Sequence, residues 1–188
     1  MRVVAGKFKS RSLGALRGVK LRPTSDRLRE TLFDILGPAV DDSVFLDLYA
    51  GTGAVGIEAL SRGASQVFLV ESHAAGLALV RRNLKSLGIA SGAEVLPLDA
   101  LRACRLLESR GAQADFVFLD PPYAEGGEYR RALEFLGSSN LVAPSGRIIA
   151  EYHRKHPPVD PISGLERVRI IEQGDAVLGF YRRVLPRD

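Results

Sequence analysis

Four consecutive residues, Asp120, Pro121, Pro122 and Tyr123, follow an apolar run at 116–119 and form the most specific chemical signal in the chain. The Asp120 carboxylate and the Pro121 carbonyl are two hydrogen-bond acceptors, and consecutive prolines fix φ so that the carbonyl direction does not rely on side chains. Such a pair suits an exocyclic amine on an aromatic base. That amine's lone pair is delocalised into the ring, and acceptors aimed at its hydrogens favour withdrawing it from conjugation. Tyr123 adds a flat face for a base taken out of its stack. The ordinary alternative is a proline-rich turn closing a strand.

A second signal lies upstream. Asp47-Leu48-Tyr49-Ala50-Gly51-Thr52-Gly53-Ala54-Val55-Gly56 satisfies Gly-x-Gly-x-x-Gly at a strand-to-helix junction, where glycines let backbone approach a ligand closely. Glu71 follows twenty residues after Gly51, at the end of the next apolar run, where a carboxylate can accept from both hydroxyls of a ribose. The spacing predicts an adenosine-containing cofactor, and by itself it serves NAD, FAD or S-adenosylmethionine alike. Asp47 separates them: a carboxylate beside the turn repels a pyrophosphate and attracts the ammonium of a methionyl group. The ordinary alternative for Asp47 is a helix-capping or core-satisfying role. Asp99, just before Ala100, could accept from an adenine amine or cap the helix that begins there.

Other chemistries lack their residues. Cys104 is the single cysteine, so no intramolecular disulfide can form, and its spacing with Leu101 and Leu107 reads as core rather than thiolate nucleophile. His73, His153 and His156 lack a metal-ligand spacing, which predicts no metal. Neither Gly-x-Ser-x-Gly nor a P-loop occurs.

The elements that must position these residues alternate between strand-length apolar runs and longer amphipathic stretches, the signature of βαβ units. Strands are predicted at 44–48, 67–70, 94–98, 116–119 and 147–151, with helices at 54–62, 74–87, 100–109 and 127–136. An antiparallel hairpin at 165–171 and 176–184, turning on Gln173-Gly174-Asp175, closes the sheet. Upstream, Arg22-Pro23-Thr24-Ser25-Asp26 starts a helix carrying Leu28, Leu32, Ile35 and Leu36 on one face and Arg27 and Arg29 on the other, ending at Gly37-Pro38. Segments 2–5 and 12–16 predict a small basic β-hairpin. The fold class expected is α/β: a doubly wound, Rossmann-like sheet, mostly parallel with an antiparallel C-terminal hairpin. Residues 1–22 would be a basic arm and 23–188 the catalytic domain.

Length and composition (188 residues, 46% hydrophobic) suit one well-buried core. Residues 1–31 hold nine Lys or Arg against two Asp or Glu, so the formal +4 of the whole chain is concentrated there. A basic terminal segment on a near-neutral body is the footprint expected for phosphate contacts. No signal-peptide pattern or membrane-length apolar run occurs, which predicts a cytoplasmic soluble protein with no membrane partner.

With these residues in place, the chain resembles the bacterial small-subunit ribosomal RNA guanine-N2 methyltransferases of the RsmD type. The resemblance rests on Arg2-Val3-Val4-Ala5-Gly6, on the block from Arg22 to Phe33, on 47–64 and on Asp120 to Tyr123. It implies methylation of one guanine of 16S rRNA in a partly assembled small subunit, with S-adenosylmethionine, without metal, by a monomer. By position it implies that Asp47, Tyr49, Gly51, Gly53, Glu71, Asp99 and Ala100 hold the cofactor and Asp120 to Tyr123 the base. Arg2, Lys7, Lys9, Arg11, Arg22, Arg27 and Arg29 would face RNA. Mild departures are Tyr49 where Phe is common, Thr52 where Ser is common, and Gln173 where an aromatic often precedes Gly-Asp.

An adenine-N6 or other DNA amino-methyltransferase shares the acceptor tetrapeptide but usually adds a large target-reading region. A protein glutamine methyltransferase would carry Asn at position 120. An NAD-dependent oxidoreductase is disfavoured by Asp47 and the proline tetrapeptide, and titration with S-adenosylhomocysteine and NADH separates it and a cofactor-free nucleic-acid binding module from a methyltransferase: tight binding of the former alone excludes both, and binding of neither favours the module.

Overall fold

The computed structural model describes residues 1–15, 24–121, 126–158 and 161–184. Seven strands form one sheet in the order β3-β2-β1-β4-β5-β7-β6, with the order reversing after β1 as a doubly wound sheet does. The strands are β1 (Val44–Asp47), β2 (Gln66–Val70), β3 (Ala93–Leu96), β4 (Ala114–Leu119), β5 (Val142–His153), β6 (Leu165–Gln173) and β7 (Ala176–Arg183). Among the described residues α1 (Asp26–Leu36) precedes β1, and four helices connect successive strands from β1 to β5: α2 (Ala54–Ser61), α3 (Ala74–Leu87), α4 (Ala100–Ser109) and α5 (Gly126–Ser138). The expected mixed α/β fold with an antiparallel C-terminal pair is therefore observed, and the chain divides into two compact units, Met1–Asp99 and Ala100–Asp188.

In the first unit β1 and β2 pair in parallel with Asp47 opposite Leu69, and β2 pairs in parallel with β3, Val70 opposite Leu96. Phe45, Leu46, Val67 and Leu69 are buried, as expected of parallel strands covered on both faces. Helix α1 starts where its cap predicts, with Ser25 Oγ accepting from Leu28 N at 3.1 Å. In the second unit β4 and β5 are parallel, Leu119 opposite Ala150, while β7 runs antiparallel between β5 and β6.

The amino-terminal segment differs from the expected hairpin. A single antiparallel bridge joins Arg2 and Ser12 around a 3-10 turn at Gly6–Phe8. The ladder is interrupted because Val4 N and Ala5 N donate to the Glu58 carboxylate of α2 at 2.8 and 2.9 Å instead of across a strand pair. Phe8 N donates to Ser61 Oγ, and Gly14 N to Asn83 Oδ1 of α3. Val3 and Leu13 are buried, so residues 1–15 are packed into the first unit rather than projecting from it.

Glu58 shows why. Its side chain is wholly buried in a helix that is apolar on nearly every side, so its charge must be satisfied locally. Arg29 answers it from α1, with Nε 3.5 Å from Glu58 Oε2, and also reaches Asp26 at 2.9 Å and the carbonyl of Arg2. Arg62 adds a second cation at 2.9 Å. Arg29 is consequently 0% exposed, and its expected place on an RNA-facing surface is incorrect. It sits four residues before Phe33 and seven before Leu36, on the buried side of α1.

Candidate active site

The cofactor-binding candidates lie in the first unit, apart from Ala100, which opens the second. Asp47 ends β1 and is 1% exposed. Its Oδ2 accepts from Gly56 N at 3.1 Å, inside the first turn of α2, which has no capping side chain of its own at Gly53. The capping role is thus real, and it uses one oxygen only. Oδ1 is buried without a hydrogen-bond partner among the described residues. Burial raises the Asp47 pKa to about 7; the backbone amides of Gly56 and Tyr49 counter this, and the Glu71 carboxylate adds to it. A buried carboxylate in this condition is suited to a cationic ligand group.

Gly51 and Gly53 have φ of +54° and +78°, values that side chains rarely adopt, and no atom lies nearer than 3.9 Å to where a Cβ on Gly51 would stand. Glu71 follows β2 and holds the turn: Oε2 accepts from Gly51 N at 2.9 Å and Oε1 from His73 N at 2.7 Å. Tyr49 is half-buried beside the turn. Asp99 is exposed and directly precedes α4, and Ala100 beside it is buried.

Two residues that sequence reading passed over complete this arrangement. Asn83, buried on α3, donates to Thr52 O at 2.8 Å and accepts from Gly14 N at 2.8 Å, tying the glycine turn to the amino-terminal segment. Its position among Leu79, Val80, Leu84 and Leu87 on the apolar face was the available signal. Gly76 is the second: a Cβ there would stand 2.7 Å from Glu71 Cδ, so only glycine lets that carboxylate lie against α3.

This donor set fits S-adenosylmethionine. An orphaned, buried carboxylate oxygen meets a cation, a second carboxylate at a strand end meets hydroxyls, and two carboxylates together oppose a pyrophosphate.

In the second unit, Asp120 directly follows β4 and is half-buried, and Pro121 is buried. Pro122 and Tyr123 lie outside the described residues. Cys104 is buried, in line with a core role. Of the cationic candidates, Arg2, Lys7, Lys9, Arg11 and Arg27 are exposed, with Lys7 Nζ 5.5 Å from the Phe8 ring and Arg11 donating to Ser86 O. Arg22 lies outside the described residues. Among the described residues no group of three or more His, Cys, Asp or Glu is placed to hold a metal ion, and no helix is long and apolar enough to cross a membrane.

A family model described as "Conserved hypothetical protein 95" matches residues 1–182. "Ribosomal RNA small subunit methyltransferase D" of Haemophilus influenzae is 35% identical over 162 residues, 86% of this chain and 83% of that protein. The chain belongs to the RsmD family. An RsmD-family relative in Bacillus subtilis, provisionally named rRNA methyltransferase YlbH, is 34% identical over 97% of this chain and 99% of its own length. A solved Escherichia coli structure provisionally titled methyltransferase yhhF superposes with a TM-score of 0.83 at 29% identity, covering 99% of both chains. The RsmD-family assignment agrees with the Rossmann-like sheet and with S-adenosylmethionine as cofactor, and the relatives are named for rRNA methylation.

Proposed function

We propose that the chain transfers a methyl group from S-adenosylmethionine to the exocyclic N2 amine of a specific guanine of 16S rRNA during assembly of the small ribosomal subunit. The observation that carries this reading is the position of Asp120 and Pro121 immediately after β4, with two acceptors where a sheet of this class binds its ligands, outside the carboxyl ends of its strands. Relatives named for small-subunit rRNA methylation support the substrate class.

Asp47 would hold the methionyl ammonium, Glu71 the ribose hydroxyls, Asp99 and Ala100 the adenine edge, and the Gly51–Gly53 backbone and Tyr49 the body of the cofactor. When bound, the sulfonium supplies an activated methyl group, whose bond to sulfur breaks as the bond to nitrogen forms. Asp120 and the Pro121 carbonyl orient the amine by accepting its hydrogens, and Tyr123 stacks on the base. Asp120 or solvent takes the proton released from nitrogen. Positioning supplies most of the rate enhancement, because the leaving sulfur needs no protonation. Exposed Arg2, Lys7, Lys9, Arg11 and Arg27, with Arg22, would neutralise RNA phosphates. The reading places a monomer in the cytoplasm, acting on a ribonucleoprotein.

Nucleoside mass spectrometry of 16S rRNA from a strain lacking the protein tests this. One N2-methylguanosine should disappear and return with the wild-type gene. An unchanged N2-methylguanosine content, or loss of a different modified base, would overturn it.

A further inference from the structure

We propose that the turn at 153–156, made of His153, Arg154, Lys155 and His156, is a second phosphate-binding surface that grips the RNA strand flanking the target base. The inference rests on the reading of the substrate as RNA given above.

The placement follows from strand register in the second unit. Leu119, the last residue of β4, stands opposite Ala150, and β5 continues for three more residues to His153. At about 3.3 Å per residue the strand overhangs the end of β4 by roughly 10 Å. Asp120 and Pro121 lie at that strand end, so the turn rises beside the base-acceptor residues. The far side is bounded by β7, whose first residue, Ala176, pairs with His153.

The turn is held in shape by backbone bonds. Arg154 N donates to Asp175 O at 2.8 Å, His156 N to His153 O at 2.8 Å, and Lys155 N to His153 Nδ1 at 3.1 Å. The last bond makes Nδ1 an acceptor and leaves Nε2 to carry the donor proton of the neutral ring. The two imidazoles lie 5.7 Å apart, and Arg154, Lys155 and His156 are exposed.

Turn chemistry does not explain this composition. Tight turns select Gly, Asn, Asp, Pro and Ser, each for a backbone reason, and Arg-Lys-His has none of those. Four consecutive nitrogen-bearing side chains supply donors for anionic oxygens. The nearby acid, Asp175, is 3.7 Å from Arg154 with both side chains more than half exposed. An exposed pair of this kind contributes little, and a phosphate can displace it.

The test uses the full-length protein with a double charge reversal, Arg154→Glu with Lys155→Glu. Filter binding to 16S rRNA prepared from a strain lacking the protein should show the slope of log affinity against log salt falling by about 1.4, at about 0.7 per phosphate contact on single-stranded RNA. Methyl transfer should lose its efficiency through an at least tenfold higher KM for RNA, while S-adenosylhomocysteine affinity and Tm stay at the wild-type values. Arg154→Lys with Lys155→Arg should restore the slope. A matched reversal of two exposed cations elsewhere, Arg105→Glu on α4 with Arg110→Glu just past its end, separates local contact from bulk charge.

An unchanged slope and KM in the first variant, or an equal loss in the matched variant, would overturn the proposal while leaving the reading of the substrate intact. Weaker engagement of small-subunit particles without any change on naked RNA would assign the turn to a ribosomal protein instead. A wild-type protein that transfers no methyl group to RNA would remove the reading of the substrate and this inference together.

Discussion

Replacing Asp47 by Asn separates what the buried carboxylate costs the fold from what it gives the ligand. Burial raises its pKa from 3.8 to about 7. Below pH 3.8 both folded and unfolded chains hold the proton, and the group imposes no penalty. Between 3.8 and 7 the unfolded chain releases the proton first, so stability falls as pH rises, by about 1.4 kcal/mol per pH unit. Above pH 7 the penalty is constant, on the order of 4 kcal/mol, a large share of a typical 5–15 kcal/mol. Asparagine does not titrate; its carbonyl can keep the bond from Gly56 N, and its NH2 adds a buried donor costing about 1–3 kcal/mol at every pH. The variant-minus-wild-type difference in unfolding free energy should therefore move by about 3 kcal/mol in the variant's favour between pH 5 and pH 8. Guanidinium unfolding at four pH values measures it. A difference that stays constant across that range would refute the account of an unpartnered buried carboxylate.

The same titration bears on the proposed ligand contact. With the methionyl ammonium on Asp47, as proposed above, only the ionised carboxylate binds it, so S-adenosylhomocysteine affinity should fall up to about tenfold per pH unit below 7, with proton release on binding. Calorimetry in buffers of different ionisation enthalpy reads that proton directly. A wild-type affinity flat from pH 5 to 8 would remove the ammonium from Asp47.

Asp120→Ala should abolish methyl transfer, by at least a hundredfold in kcat, with S-adenosylhomocysteine affinity within twofold of wild type; retained activity would dismiss it as an amine acceptor. Gly6→Ala places a Cβ 1.8 Å from Ser61 O at a φ of +77°, so it should unseat the amino-terminal segment and lower Tm by several degrees, and an unchanged Tm would contradict the docking described. Lys7→Glu with Lys9→Glu, both exposed, should reduce the salt slope of RNA binding without altering Tm.

The order and type of the elements were legible in the sequence because hydrophobic period is a local property. Helices at 74–87 and 100–109 were placed at their observed ends, and the glycine turn and the acid-proline pair at the end of β4 were recognisable from residue types that backbone geometry demands. Strand β5 was read as 147–151 and extends over Val142–His153, because pairing with β4 and β7 extends it at both ends beyond its apolar run.

What tertiary structure alone decided concerns buried charge. Arg29 looked like one more cation in a basic segment, since sequence assigns charge to a residue but not to a side of the molecule. Only packing against α2 revealed that Glu58 needed it, and that the backbone of residues 4 and 5 would spend its hydrogen bonds on that carboxylate rather than on a β-ladder. Desolvation is the physical reason: a buried acid costs several kcal/mol unless partners converge on it, and those partners come from α1, α2 and the first five residues, which are joined only in space. The state of Asp47 was settled the same way. Its presence beside the glycine turn was written in the chain, while one oxygen bonded to the start of α2 and the other without a partner among the described residues is a fact of three-dimensional packing.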